Sequence, residues 1–248
     1  MHQWDDEGII ISVSRYGEQS AIIRLFTENN GLFAGMAKGV FSKKMRGTFQ
    51  SGNIVHAHWQ ARLEDQLGAL RCELTQSIMP QLLNNAFALK LVNAACEIAT
   101  ACVPERIEEK EIYSKFMALI NEINSMNEEN TWLYRYVDLE FTILHALGFG
   151  LDLDQCAATG KCLSEELVYV SPKSARAVSA AAGEPYKHRL LPLPAFLRDG
   201  QTTNNMRQML DGLALTGYFL ESSILHPEGR AIPESRKVLL RYLQRNNV

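Results

Sequence analysis

Residues 8–26 read GIIISVS-RYGEQ-SAIIRLF, two β-branched apolar runs separated by a short turn that contains Gly17. Such runs around a glycine-bearing turn predict a β-hairpin of Gly8–Ser14 and Ser20–Phe26. Asn29-Asn30-Gly31 is the next turn signal, and Leu32–Lys38 follows it as a third strand. Gly39–Gln50 reads as a loop carrying Lys43, Lys44 and Arg46, and Gly52–Arg62 and Gly68–Thr75 read as two further strands. Five short strands with one longer connection fit a small barrel, of which the OB-fold is one solution.

At Pro80 the period changes. Leu83, Phe87, Leu91, Ala94 and Ile98 share one helical face, and Pro80 suits a first-turn position. Pro104 marks a break, after which a second helix is expected to about Asn124. A third is expected over Thr131–Leu147, with Leu133, Val137, Phe141 and Leu144 on one face and Gly148 as its stop. Leu167–Val170 and Ala175–Val178 flank Ser171-Pro172-Lys173-Ser174 as a small hairpin, and the prolines of Leu191–Leu197 predict an extended segment. Helix returns over Asn204–Ile224 and Glu234–Arg245. The fold class is therefore α+β, a barrel over 1–79 and a helical domain over 80–248 with a hairpin and loop insertion at about 151–200.

The chain has 248 residues, 46% of them hydrophobic and 21% charged, which is a globular composition with enough apolar mass for a core. No stretch is long and apolar enough for a membrane span. The polar, acidic start is not a secretory signal, and five irregularly spaced cysteines read as reduced thiols, so the expected compartment is the cytoplasm. The net charge of -3 divides unevenly, with residues 1–80 neutral, 81–155 at -7 and 156–248 at +4. A total near zero therefore leaves room for a local field that binds nucleic acid.

Catalytic constellations are not found. Gly160-Lys161 lacks the rest of a phosphate-binding loop, Gly31, Gly35 and Gly39 do not make a dinucleotide fingerprint, and no nucleophile elbow occurs. His56 and His58 share a strand face, but two imidazoles without a third ligand read as exposed strand histidines. A metal-dependent enzyme built on them is the remote alternative, and the expectation is no catalysis.

Nucleic acid is the better supported ligand. A barrel of this kind binds single strands with a basic groove and aromatic faces. Lys38, Lys43, Lys44 and Arg46 are interleaved with Phe41 and Phe49, and Arg15, Tyr16, Arg24, Trp59, Arg62 and Arg71 lie on flanking strands and turns. A solvated loop above core phenylalanines is an equal reading, and charge spacing does not choose between them. Lys173, Arg176, Lys187 and Arg189 form a second basic group around the hairpin. The stripe Lys237, Arg241 and Arg245, with Arg236 beside it, is better explained as cations complementing a helix C-terminus.

Six segments together resemble the RecO family of bacterial DNA repair and recombination mediators. They are Trp4–Thr27 (WDDEGIIISVSRYGEQSAIIRLFT), Gly31–Gly39 (GLFAGMAKG), Gly52–Gly68 (GNIVHAHWQARLEDQLG), Leu147–Gly160 (LGFGLDLDQCAATG), Leu167–Ser179 (LVYVSPKSARAVS) and Leu190–Leu197 (LLPLPAFL). Their order and spacing carry the resemblance over nearly the whole chain. It implies an OB-fold domain followed by a helical one, and a protein of the bacterial cytoplasm that joins the nucleoid when engaged. It implies binding to single- and double-stranded DNA, annealing of complementary strands, and work with RecR and RecF. It also implies loading of RecA onto single strands covered by the single-stranded DNA-binding protein SSB, and docking of the SSB C-terminal tail. On that basis Arg15, Arg24, Lys38, Lys43, Lys44, Arg46 and Arg62 on the barrel, and Lys173 and Arg176 on the hairpin, are the expected DNA contacts. A generic OB-fold adaptor that binds RNA is the alternative.

Two departures from the family stand out. Many members hold zinc with two C-x-x-C pairs in the hairpin region. Here Cys156 matches the first position, Thr159, Ser179 and Ala182 stand at the others, and Cys162 is misplaced for a C-x-x-C partner. The region reads as a degenerate zinc ribbon, and no metal is expected. Members also often carry an arginine shortly before the glutamate matching Glu140, where this chain has Asp138, with Arg135 one turn earlier. Arg135 would then rim a tail pocket lined by Leu139 and Ile143, or be an ordinary surface residue of a core helix.

Overall fold

The computed structural model describes residues 1–63, 65–160 and 166–246. Five strands come first: β1 His2–Tyr16, β2 Ser20–Thr27, β3 Gly31–Lys38, β4 Ile54–Ala61 and β5 Ala69–Gln76. Their order is β1-β2-β3-β5-β4, with β4 pairing back onto β1. The expected OB-type barrel is therefore present, with its core filled by period-two residues such as Ala21, Ile23 and Leu25 of β2 and Val55, Ala57 and Trp59 of β4.

β1 is longer than its apolar run. Its C-terminal part pairs with β2 and its N-terminal part with β4, and an irregularity between Ile10 and Ser12 bends it from one partner to the other. The sequence reading started this strand at Gly8 because His2–Glu7 is polar. Asp6 is nevertheless buried, and its carboxylate accepts hydrogen bonds from the Asn29 amide at 2.9 Å and from the side chains of Asn29 and Asn30 at 3.0 and 2.8 Å. An acidic residue thus fixes the β2–β3 turn.

The barrel is thinnest between β3 and β5, which share one registered parallel pair, Met36 with Ala69. Next to it the segment after the helices lies along β3. Glu105 bridges Leu32, the Arg106 amide donates to the Leu32 carbonyl at 2.8 Å, and the Arg106 guanidinium donates to the carbonyls of Asp65 and Gln66 at 3.3 and 3.1 Å. Gly31 makes this approach possible. Its φ is +67°, and a Cβ there would lie 1.8 Å from the Ile107 carbonyl oxygen.

Helices α1 Met79–Asn84 and α2 Ala86–Cys102 replace the single helix expected after Pro80. The chain breaks at Asn85, which is extended, and its side-chain oxygen accepts from the amides of Phe87 and Ala88 at 2.8 and 3.0 Å. This is an N-cap inside a continuous apolar pattern. α3 spans Lys110–Asn124 as expected. By contact the chain divides into two compact units, residues 1–127 with 233–248, and residues 128–232. The first unit gathers α1 to α3 and the last helix onto the barrel side of the 79/80 break. That return is a long-range packing event: Tyr242 stacks on Phe87 with centroids 5.8 Å apart, and the Ser235 hydroxyl donates to Glu97 at 2.7 Å.

The second unit contains α4 Glu129–Leu144, strands β6 Leu167–Val170 and β7 Ala177–Ser179, α5 Ala180–Gly183, β8 Leu191–Pro192, α6 Ala195–Asp199 and α7 Met206–Phe219. α4 gives way to a wide turn that ends at Gly148, φ +84°, close to the expected stop. The hairpin of β6 and β7 forms, and β8 adds to it in the order β7-β6-β8. Leu191–Leu197 is extended only through Pro194, since a proline restrains the residue before it and leaves α6 free to start at Ala195. α8 Glu234–Asn246, in the first unit, ends the chain.

Asn53 has no exposed surface and joins three parts of the first unit. Its amide nitrogen donates to the carbonyls of Gly47 and Thr48 at 2.8 and 3.0 Å, and its side-chain oxygen accepts from the Ile78 amide at 3.1 Å. Asn53→Ala strands three backbone groups and should cost about 3 kcal/mol in urea unfolding, whereas Asn85→Ala, which removes one helix cap, should cost about 1 kcal/mol. Equal losses would remove the distinction between the two amides.

Candidate nucleic-acid interface

The connection from Gly39 to Asn53 is a chain of tight turns rather than an open loop. The amides of Met45 and Arg46 donate to the Ser42 carbonyl at 3.1 and 3.0 Å, those of Thr48 and Phe49 to the Met45 carbonyl, and the Gln50 side chain to the Arg46 carbonyl at 2.7 Å. Val40 and Phe49 point into the barrel core, and Lys43, Lys44 and Arg46 between them are exposed. The Val40 amide donates to the Gln19 carbonyl at 3.1 Å, so the loop is tied to the β1–β2 turn. Lys38 pairs in register with Ser20, and the Arg15 guanidinium lies 4.4 Å from the centre of the Phe41 ring. Five cations, Arg15, Lys38, Lys43, Lys44 and Arg46, thus gather at one end of the barrel.

Among the described residues none of these five makes an ion pair, whereas several other basic groups do. Arg24 is 3.4 Å from Glu105, Arg176 is 3.0 Å from Asp152, Lys187 is 2.7 Å from Glu184, and Lys237 and Arg241 both reach Glu234. A cation already sharing its field with a carboxylate releases less counterion on meeting phosphate. Arg24 and Arg176 are therefore poorer candidates than the sequence suggested. Arg62 is exposed after β4, beside the start of β1 and away from Arg15 at its far end, and Lys173 is exposed at the tip of the second unit's hairpin. Within the first unit Arg62 lies apart from the group of five. The signal for this group was present in the sequence, because no Asp or Glu occurs between Glu28 and Glu64.

The aromatic candidates divide sharply. Trp59 is 1% exposed and Phe49 4%, so both are core residues and offer no face to a base. Trp59 turns inward against Trp4 and Phe33, and its indole nitrogen donates to the Leu67 carbonyl at 2.9 Å. Tyr16 and Phe41 remain at the surface. His58 Nδ1 is 3.0 Å from the Asp5 carboxylate and His56 Nε2 is 4.0 Å from it, and no group of three ligating side chains exists among the described residues.

The pocket expected on α4 does not open. Leu139 and Ile143 are fully buried, because they share the face that α4 turns to the core, and Arg135 lies over the Tyr134 ring at 5.7 Å. Glu140 on the same helix is also buried and accepts from the Thr216 hydroxyl at 2.5 Å.

Around Cys156 the degenerate zinc positions do converge. The Ser179 amide donates to Cys156 Sγ at 3.3 Å, Ser179 Oγ is 3.6 Å from the sulfur, and the Ala182 amide donates to Ser179 Oγ at 3.4 Å. Burial pushes the Cys156 thiol up, but hydrogen bonds from Thr159, Ser179 and the Ala158 backbone outweigh it and bring the thiol down to about 6. The set is one sulfur, two hydroxyls and a methyl, which does not fit a tetrahedral zinc site. Cys162 lies outside the described residues.

The family model for the N terminal of recombination protein O matches residues 1–78, and that for its C terminal matches residues 83–231. The DNA repair protein RecO of Rhodospirillum rubrum is 40% identical over 248 residues, covering 99% of this chain and 98% of the relative. The protein of the same name from Methylocella silvestris is 42% identical over 242 residues, covering 96% and 94%, and that of Ruegeria sp. is 41% identical over 243 residues, covering 98% of each. By these matches over both halves and nearly its full length, the chain belongs to the RecO family.

Proposed function

We propose that this chain is a non-catalytic DNA repair and recombination mediator that binds single- and double-stranded DNA and anneals complementary strands. With RecR and RecF it would help load RecA onto strands coated by SSB. The observation that carries the reading is the group of five cations without carboxylate partners at one end of an OB-type barrel. Annealing brings two polyanions together, and cations that displace condensed counterions lower that barrier. RecR and the SSB tail are part of the same proposal. Leu139 and Ile143 are packed into the core, which favours another surface for the apolar end of the tail.

The test is annealing of two labelled complementary strands, bare and SSB-coated, across a salt series. The triple variant Lys43→Ala, Lys44→Ala, Arg46→Ala should anneal more slowly and bind single strands with a log–log salt slope shallower by about 2, at roughly 0.7 per lost phosphate contact. Unchanged annealing and slope would move the DNA site off this loop.

We also propose that the hairpin carries no structural zinc, since hydrogen bonds occupy the places of three thiolates. Protein purified without a tag should contain far less than one zinc per chain. Thr159→Cys, Ser179→Cys and Ala182→Cys together should raise that to about one, with four sulfur ligands converging. Stoichiometric zinc in the native protein would refute the proposal.

A further inference from the structure

We infer that Tyr16 and the pair of Arg15 on Phe41 offer bases two stacking faces, one on each side of β1 at the mouth of the hairpin, so that this end of the barrel reads unpaired strands by stacking and not by charge alone. The inference rests on the DNA reading above and adds to it the part of the ligand that is recognised. Tyr16 is 59% exposed and follows Arg15 on β1, and Phe41 is 38% exposed with the Arg15 guanidinium 4.4 Å from its ring centre. Single exposed aromatics are ordinary on protein surfaces. Two within one cation cluster, on segments tied together by the Val40–Gln19 hydrogen bond, are a different matter.

The chemistry fits a base and not a second duplex. A guanidinium held 4.4 Å over a ring is planar, so the pair can offer a flat cationic surface as well as an aromatic one. Tyr16 follows Arg15 on β1 and so leaves the opposite side of the strand at the mouth of the hairpin, where it pairs with Ser20. Lys38 and the turn cations Lys43, Lys44 and Arg46 can then hold phosphates while bases lie against the aromatic faces. Bases of a duplex have their faces occupied by their neighbours, and only a single strand can use such a platform. Stacking leaves the pairing edges of the bases outward, which is what an incoming complementary strand requires.

The experiment compares binding of an oligothymidine and an abasic oligomer of equal length by the intact protein, by fluorescence anisotropy over a salt series. The native protein should prefer the oligothymidine at least about fivefold. The double variant Tyr16→Ala, Phe41→Ala should lose about five- to hundredfold affinity for oligothymidine and keep its affinity for the abasic strand and its salt slope. Phe41→Leu, which keeps an apolar side chain but no flat face, should behave like Phe41→Ala, and Phe41→Trp should restore binding. The pair Lys43→Ala, Lys44→Ala should weaken both ligands alike and flatten the slope. Equal native binding of the two oligomers, unaffected by the aromatic changes, would overturn the platform and leave the DNA reading standing. Native protein that binds neither oligomer at about 50 mM salt would overturn both.

Discussion

One buried amide, Asn53, holds the loop end of the barrel in place. Fully enclosed, it has its oxygen and nitrogen satisfied by backbone groups of the long loop and of Ile78, the residue before α1. Its own carbonyl accepts from the Ile10 amide at 2.9 Å, next to the bend in β1. The net worth of each bond is modest, about 1 kcal/mol, but leaving the partners unmatched in the core is costly. The loop is thereby tied down with Val40 and Phe49 inside. Between those two anchors Met45 packs against the core and Thr48 is buried, while Lys43, Lys44 and Arg46 face solvent. The position of the cations is a consequence of packing rather than of their own interactions.

Charge is also distributed unevenly along the chain, across both units. Residues 81–155 carry a net charge of -7, which in isolation argues against a polyanionic ligand. Part of that charge is spent locally: Glu105 reaches Arg24, and Glu108 reaches Lys110 at 2.6 Å. Exposed charges further apart than roughly 8–10 Å are largely screened at physiological salt. A cation group whose members make no ion pair among the described residues thus keeps more of its own field, and the total of -3 does not describe it. The pairing of Arg24 with Glu105 also supports the segment along β3, where the barrel's own ladder is one residue pair wide.

The barrel was legible because period-two apolar runs and glycine turns act locally. What escaped was decided by distant partners. Nothing in His2–Glu7 says that it pairs with His56–Ala61, and Asp6 looks like a surface acid until Asn29 and Asn30 arrive to meet it. Asn85 sits inside a continuous helical pattern, so its cap is visible only once the backbone breaks. The return of α8 to α2 depends on Tyr242 meeting Phe87 across more than half the chain. At the site, residue type identified the basic loop, but whether an aromatic faces in or out depends on its cross-strand neighbours. Trp59 is drawn inward by Trp4 and Phe33, while Phe41, on a turn with no strand partner, stays out under Arg15.

The hairpin of the second unit shows the reverse case, where resemblance located a cluster correctly and chemistry changed its meaning. Cys156 and Ser179 are in contact, as coordination positions would be, and the sulfur is held toward its thiolate by hydrogen bonds. A zinc–thiolate set contributes on the order of 10 kcal/mol to a small fold, whereas hydrogen bonds of this kind contribute about 1 kcal/mol each. The difference must come from elsewhere in the unit. Leu167, Val170, Ala177 and Val178 are all buried, and the segment around Cys156 adds backbone bonds, with Asp152 and Ala157 meeting Ala175 and Ala177. Arg176 is drawn into this arrangement by Asp152. The same pairing that helps hold the hairpin removes one of its cations from the set proposed to meet DNA, which leaves the barrel loop as the stronger candidate for the strand.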